Sequence, residues 1–290
     1  MKGIIVVNSY LRPKESIKQA QRLKEELLAL NISAEIVSDL SNKIIVKGGK
    51  LSLLMEKIDF AIFLDKDKYL SYSLEKLGVK VFNSHDSIRI CDDKLDTYLY
   101  LAGKGVKLID TLFGRLSYSE EDLITNDYVD FVVEKLSLPV VVKEGYGSMG
   151  KGVHLAKTRE ELLMLLEKVK CRPHSMQKYL SYKSGQDIRV IVIGGKVVAS
   201  MIRKNPTDFR SNIGAGGSGV MCSLTKIQED TAIKVASLLG LDYAGIDLLD
   251  DTDGIPYVCE VNSNAFFEGI EKVTGINVAK AYAEHIISKL

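Results

Sequence analysis

Near the end of this chain three oxygen-bearing side chains stand where apolar ones are expected. Tyr243-Ala-Gly-Ile-Asp247-Leu-Leu and Pro256-Tyr-Val-Cys-Glu260-Val-Asn262 are otherwise apolar runs. A carboxylate taken out of water without a partner is costly, so acids in such places commonly hold a cation. The intervening Asp250-Asp251-Thr252-Asp253-Gly254 reads as a hairpin turn. A turn centred near Thr252 and Asp253 puts Glu260 diagonally across from Asp247, and period-two alternation puts Asn262 on the same face. Carboxylates plus an amide suit a hard cation such as Mg²⁺ or Mn²⁺ rather than zinc. Acids at solvated strand ends are an equally good reading of these two runs alone.

A second constellation is Val140-Val-Val-Lys143-Glu-Gly145-Tyr-Gly147-Ser148-Met-Gly150-Lys151-Gly152. Gly145 to Lys151 fits G-x-x-x-x-G-K, but Gly152 replaces the Ser or Thr of a P-loop. Val153-His-Leu-Ala156 then reads as a strand where a P-loop needs a helix. A glycine-rich turn between two strands is a flap whose N–H groups can close over phosphates. Lys143, ending the apolar strand before it, would face those phosphates.

The elements that must position these residues follow from periodicity. Strand signals at Gly3–Val7, Ala34–Val37, Phe60–Leu64 and Val79–Phe82, with a helix over Glu15–Leu30, describe a small parallel α/β domain. Asn8-Ser9-Tyr10 stands where a dinucleotide fingerprint would be. Asn83-Ser84 leads into a helix through Ile88, Cys91, Leu95 and Leu99, and Asn277–Leu290 reads as a packing helix.

Composition is that of a soluble multidomain protein: 290 residues, 46% hydrophobic, 27% charged, net charge +1. That charge gives no reason to expect nucleic acid or a membrane surface. No run reads as a signal h-region or a bilayer span, so a cytoplasmic location is expected. The cysteines Cys91, Cys171, Cys222 and Cys259 lack C-x-x-C spacing and read as reduced structural thiols. The four histidines show no metal spacing, and Ser218 lacks a nucleophile elbow.

Other charged residues have plain readings. Lys94, among Asp92, Asp93 and Asp96, reads as a solvated helix pairing. Asp187 and Arg189 read as an exposed edge face, and Arg203 with Lys204 as a surface cluster in a loop before Pro206. Arg210, opening the glycine-rich stretch to Gly219, suits an anion site better.

Lys94 in Cys91-Asp-Asp-Lys-Leu, Lys143 before the flap, Met176-Gln177-Lys178-Tyr179-Leu180, Asp187-Ile-Arg189, Phe209-Arg210-Ser211-Asn212, Gly245-Ile-Asp247 and Glu260-Val-Asn262 come in a telling order. It resembles that of ATP-grasp carboxylate–amine ligases, most closely the RimK-like, alpha-L-glutamate ligase type. The resemblance covers roughly the last two-thirds of the chain. It implies a fold of mixed α/β and α+β character: an N-terminal parallel α/β pre-grasp domain (1–84), a central lobe with the flap (85–175) and a C-terminal lobe with the metal site (176–290). ATP would lie between the two lobes.

By the same resemblance, Lys94, Lys143 and the flap residues Gly147 and Ser148 would contact phosphates. Gln177, Lys178 and Tyr179 would hold adenine, mainly through backbone groups, and Asp187 the ribose. Asp247, Glu260 and Asn262 would hold Mg²⁺ or Mn²⁺, as two ions sharing Glu260. Arg210, with Ser211 and Asn212, would contact the terminal phosphate, and Arg210 and Arg189 would stabilise the intermediate. Lys178 departs from the acidic residue usual at the hinge.

The implied reaction makes an acyl phosphate from a carboxylate and joins it to an amino-acid amine. The carboxylate would belong to a peptide, a carrier protein or a small molecule, and a homo-oligomer is implied by the resemblance alone. Asn262-Ser-Asn264 is similar to ligases that act on carrier proteins, whereas Glu268 to Gly275 looks like glutamate-adding enzymes. Two other readings compete: an ATP-binding regulatory module, and a P-loop phosphotransferase using Lys151.

Overall fold

The computed structural model describes residues 1–10, 14–212 and 216–290; Gly214 of the Arg210–Gly219 stretch lies outside them. The chain opens with β1 (Lys2–Val6), α1 (Lys14–Ala29) and β2 (Ser33–Val37), followed by a hairpin of β3 (Ile44–Lys47) and β4 (Lys50–Leu53). Next come β5 (Phe60–Phe63), α2 (Lys68–Lys76) and β6 (Lys80–Phe82). The long strands form a parallel sheet in the order β2-β1-β5-β6. In α1 the buried residues Ser16, Gln19, Ala20, Leu23 and Leu27 recur at helical spacing, which makes it a helix packed by one face.

One continuous helix was the reading for Ile88 to Leu99, but the structure has two: α3 (His85–Asp92) and α4 (Lys94–Leu101). Asp93 breaks the chain at φ −100° and ψ 115°, and its carboxylate accepts the Leu95 N–H at 2.8 Å, capping α4. Lys94 therefore occupies the first position of a helix rather than the middle of one.

The central sheet contains β7 (Thr111–Phe113), β8 (Val140–Glu144), β9 (Val153–Ala156) and β10 (His174–Lys178), antiparallel in the order β7-β10-β8-β9. Helices α5 (Asn126–Leu136) and α6 (Arg159–Val169) share a core with it through Val129, Val132, Leu162, Leu166 and Met176. The C-terminal sheet is antiparallel, β13-β12-β11-β14-β15. Its strands are β11 (Gln186–Ile193), β12 (Lys196–Lys204), β13 (Ser218–Met221), β14 (Tyr243–Leu249) and β15 (Tyr257–Asn262). Helices α7 (Lys226–Leu238), α8 (Glu268–Thr274) and α9 (Val278–Lys289) complete it.

This sheet carries two cores. On one face Ile191, Ile193, Ala199, Met201 and Tyr243 pack with α8, α9 and the N-terminal Ile5, Leu23 and Phe60. On the other, Val190, Val192, Ile246 and Leu248 pack with α7 and with Ile90, Cys91 and Leu101 of α3 and α4. Residues 85–101 were grouped above with the central lobe, but Ile90, Cys91 and Leu101 sit in the C-terminal core and Ile88 in that of the parallel sheet.

Asn83 ties the parallel sheet to this body. Its Nδ2 donates to the carbonyls of Tyr243 (2.8 Å) and Ser263 (2.7 Å), and its Oδ1 accepts from the amides of Asp242 (2.6 Å) and Tyr243 (2.9 Å). Asn83→Ala would strand four main-chain groups in the interior, and a loss of about 2–4 kcal/mol in chemical denaturation is expected. Wild-type stability would mean that water replaces the side chain. Among the described residues no helix is long and apolar enough to cross a membrane.

Candidate active site

A cleft lies between the central and C-terminal sheets, and its floor is the face of β11, β12, β14 and β15 that carries the first core. Where the helices stop covering that face it turns from apolar to charged. Arg203 on β12 stands opposite Asp187 on β11, and Arg189 opposite Asp247 on β14, which stands opposite Glu260 on β15. Glu260 is therefore the direct cross-strand partner of Asp247, not a diagonal one. A bulge after Asp247 explains the difference: Leu248 pairs with Val258, leaving Cys259 as the extra residue. Val258 thereby stays in the core while Glu260 and Asn262 turn to the other face.

The charges on this floor form a chain. Arg203 binds Asp187 through Nε–Oδ1 (2.7 Å) and Nη2–Oδ2 (2.5 Å), and reaches Asp247 Oδ2 at 2.9 Å. Arg189 holds both oxygens of Asp247, at 2.5 and 2.9 Å. Asp187, Arg203 and Asp247 are buried, so the expected exposed edge face and surface cluster are corrected. Strand β11 lies inside the sheet, and Arg203 belongs to β12 rather than to a loop.

Burial is the largest influence on Asp247 and favours its neutral form, but Arg189 and Arg203 together overturn it and hold the carboxyl below its ordinary range. Burial instead prevails at Asp187, whose carboxyl is raised against the pull of Arg203. The guanidinium takes both Asp187 oxygens, which places a salt bridge where a ribose contact was expected.

Lys94, at the start of α4, and Lys143, on β8, both line the cleft. The Lys94 Nζ donates to the Gly147 carbonyl at 2.9 Å and lies 4.0 Å from Glu260 Oε1. Burial, more than any charge, lowers its pKa. It is thus not the solvated helix lysine of the plain reading. Buried Lys143 approaches Cys259 Sγ at 3.8 Å and forms no ion pair among the described residues. Burial raises the Cys259 thiol.

Overhead, β8 and β9 pair antiparallel and the turn between them carries Gly147, Gly150 and Gly152 at positive φ. A strand follows the glycines, so the P-loop reading fails. The flap is anchored at its base, where Lys94 N–H donates to Gly145 O (3.0 Å) and Gly145 N–H to Pro173 O (2.7 Å). At its tip the Gly150 carbonyl accepts from Arg210 Nη1 at 3.1 Å, and a Cβ at Gly150 would stand 3.0 Å from Asn212 Oδ1. Arg210 is held by Asp208, with Nη2–Oδ2 at 2.6 Å.

Gln177, Lys178, Tyr179, Arg210, Ser211 and Asn212 all line the cleft. Gly147 touches Lys94 but, like Ser148, Arg189 and Asn262, is not part of its wall. The hinge amide of Lys178 is taken by Asp110 O at 3.0 Å. Apolar side chains of Ile109, Val141, Val153 and Leu249 line one part and the two lysines another, which suits a flat base with an anionic tail.

The donor set for a hard cation is Asp247, Glu260 and Asn262. Among the described residues the Glu260 carboxylate and Asn262 amide accept no hydrogen bond. Asp247 Oδ1 accepts one, keeping a lone pair. No cluster of three His, Cys, Asp or Glu able to hold a metal occurs among the described residues. The set thus fits a cation only with the Asn262 amide included.

Reading the sequence missed Arg203 as part of the site. The signal was present: Ala199, Met201 and Arg203 share the buried face of β12, a charge at the end of an apolar alternation.

Comparison with known proteins agrees with this geometry. The family model of the RimK-like ATP-grasp domain matches residues 91–286. A probable alpha-L-glutamate ligase of Psychromonas ingrahamii is 33% identical over 284 residues, covering 93% of this chain and 91% of that protein. Human beta-citrylglutamate synthase B is 38% identical over 229 residues, 78% of this chain and 58% of the relative. The chain thus spans little more than half the length of such relatives. The D-alanine–D-alanine ligase of Bacillus anthracis, solved with ATP, shares the fold at TM-score 0.74 and 22% identity, covering 99% of this chain and 96% of that one.

Proposed function

Because the chain belongs to the RimK-like ATP-grasp family, we propose that it is an ADP-forming ligase that joins a carboxylate to an amino-acid amine in the cytoplasm. The observation that carries this is the convergence of Lys94 and Lys143 on one cleft with Glu260 and the arginine-held Asp247, beneath a glycine flap.

In this reading Lys94 and Lys143 bind the phosphates of ATP, and the hinge from Gln177 to Tyr179 holds adenine. Asp247, Glu260 and Asn262 would hold Mg²⁺, as two ions sharing Glu260, which would offset charge on the transferring phosphoryl group. A carboxylate oxygen bonds to the γ-phosphorus and ADP leaves. The amine nitrogen then bonds to the acyl carbon, the bond to phosphate breaks, and the amine proton is released. Arg210 and Arg189 stabilise charge on the tetrahedral intermediate. The flap, tied to Arg210 at its tip, keeps water from the acyl phosphate.

Glutamate is the amine best supported, since the relatives are named for glutamate ligation or for products containing glutamate. An ADP-release screen of carboxylates paired with amino acids, with product masses measured, tests the proposal. ADP release that rises only when both partners are present, with a product equal to their sum less water, is expected. Release independent of both partners would favour an ATP-binding regulatory role.

The two lysines near the flap rank the nucleotide sites. Lys143→Ala is expected to weaken ATP binding by about tenfold or more, whereas exposed Lys151→Ala changes it little. Isothermal titration with ATP checks this, and the reverse ranking would restore the P-loop reading.

A further inference from the structure

Three buried side-chain polar atoms among the described residues find no hydrogen-bond partner: Gln19 Oε1, His174 Nε2 and Gln177 Oε1. Of the three residues, Gln177 alone lines the nucleotide cleft, and it is 2% exposed. A buried amide oxygen left without a donor is costly. In a ligand cleft, the missing donor is one that arrives with the ligand.

The central sheet fixes which way this side chain faces. Gln177 on β10 stands opposite Val141 on β8 and Thr111 on β7, and cross-strand partners share a face. The residues flanking them, Val140, Val142, Met176 and Leu112, pack into the core formed with α5 and α6. Gln177 and Val141 therefore turn to the opposite side, where Val141 belongs to the apolar part of the cleft that suits a flat base. The main chain of the hinge has less to offer there, because the Lys178 N–H is already given to Asp110 O at 3.0 Å.

Which end of the amide is left over follows from the protons of its neighbours. Thr111 Oγ1 donates to Ile109 O at 2.7 Å, so toward Gln177 it can only accept, and Gln177 Nε2 lies 2.9 Å from it. The buried Tyr98 hydroxyl, also beside Gln177, spends its proton on Val258 O at 2.8 Å. Both hydroxyls call for the amide nitrogen, and the oxygen keeps the unmet demand. The exocyclic amino group of adenine supplies an N–H to such an oxygen. The oxo group of hypoxanthine or guanine would set a second acceptor against it with no proton between them.

We propose that the Gln177 side chain selects the base, accepting a purine that carries an exocyclic amino group where hypoxanthine carries an oxo group, and that Thr111 is the positioning residue that holds the amide oxygen toward it. This rests on the ligase reading and adds to it which base the cleft admits and what enforces the choice.

The test is equilibrium titration of the protein with adenosine diphosphate and with inosine diphosphate, which differ at that one substituent and the adjoining ring proton. Wild-type protein is expected to bind the adenosine nucleotide at least about tenfold more tightly. Gln177→Met keeps the length and removes the acceptor; it is expected to weaken adenosine diphosphate by about tenfold and to bring the two nucleotides level. Thr111→Val removes the lock from a residue outside the cleft wall and lets the amide turn its nitrogen toward an oxo group. Inosine diphosphate is then expected to bind about threefold or more tightly than to wild type, while adenosine diphosphate weakens. A general loss of packing would weaken both nucleotides alike, so the ratio of the two affinities is the readout. Equal affinities in wild-type protein overturn the proposal, as does a ratio left unchanged by Gln177→Met, and a ratio left unchanged by Thr111→Val overturns the part given to Thr111. Failure of wild-type protein to bind either nucleotide would instead overturn the ligase reading. If Gln177→Met melts early, Thr111→Val carries the test.

Discussion

Glu260→Gln is expected to lower ADP formation by about 10²–10³-fold while leaving the protein folded. The size follows from what the side chain lacks as well as from where it stands. Glu260 accepts no hydrogen bond among the described residues and its nearest cation is Lys94 Nζ at 4.0 Å, so little of the folding energy passes through it. It also faces Asp247 across the strands and shares a face with Asn262, the position the proposed metal set requires of it. Under the proposed function, replacing its charge with an amide would lower affinity for Mg²⁺ without opening a cavity. Unchanged chemical denaturation, together with a Mg²⁺ requirement displaced to higher concentration, is the expected pattern. Near-wild-type ADP formation with the true substrates would remove Glu260 from the metal set.

Arg203→Met should instead act on stability, by about 3–5 kcal/mol, the range for stripping one partner from a buried pair. Arg203 serves two buried carboxylates, binding both oxygens of Asp187 and one of Asp247. Its loss leaves Asp187 with no cation, and that carboxyl is already raised by burial. The deficit is therefore largest at neutral and alkaline pH and narrows in acid, where protonation of Asp187 removes the unpaired charge. Wild-type protein contributes to the same convergence. Its Asp247 is held low by Arg189 and Arg203, so the stability it gains from ionisation is lost as pH falls through that depressed value. Urea denaturation across the acid range measures both effects. A deficit independent of pH would show that Arg203 acts through its packing volume alone.

The parts of this molecule legible from sequence are those in which one local period decides the outcome. The parallel strands were visible as short apolar runs, the α1 face as helical spacing, and the hairpin bearing Asp247 and Glu260 as two apolar runs about a turn. The flap was distinguishable from a P-loop because Val153 to Ala156 is strand-like. The remainder depended on contacts between distant segments. The break at Asp93 needs a cap whose acceptor role appears only once α4 is in place, and the direct opposition of Asp247 and Glu260 needs a bulge at Cys259 that no turn residue announces. Arg203 was masked by the Pro206 after it, which suggested a loop although β12 runs to Lys204. The four bonds of Asn83 join residues 159 to 180 positions apart, and no local pattern carries them.

Those four bonds, with the shared core of α1 and α9, leave the molecule with one immovable jaw. The parallel sheet, α3, α4 and the five-stranded sheet form a single anvil, and the span from Thr111 to Lys178 joins it through its two chain ends and through the bonds of Gly145 and Gly147 to Lys94 and of Gly150 to Arg210. Under the proposed function, parting that span from the anvil would break those three flap bonds and carry Lys143 away from Asp247 and Glu260, which stay with the five-stranded sheet.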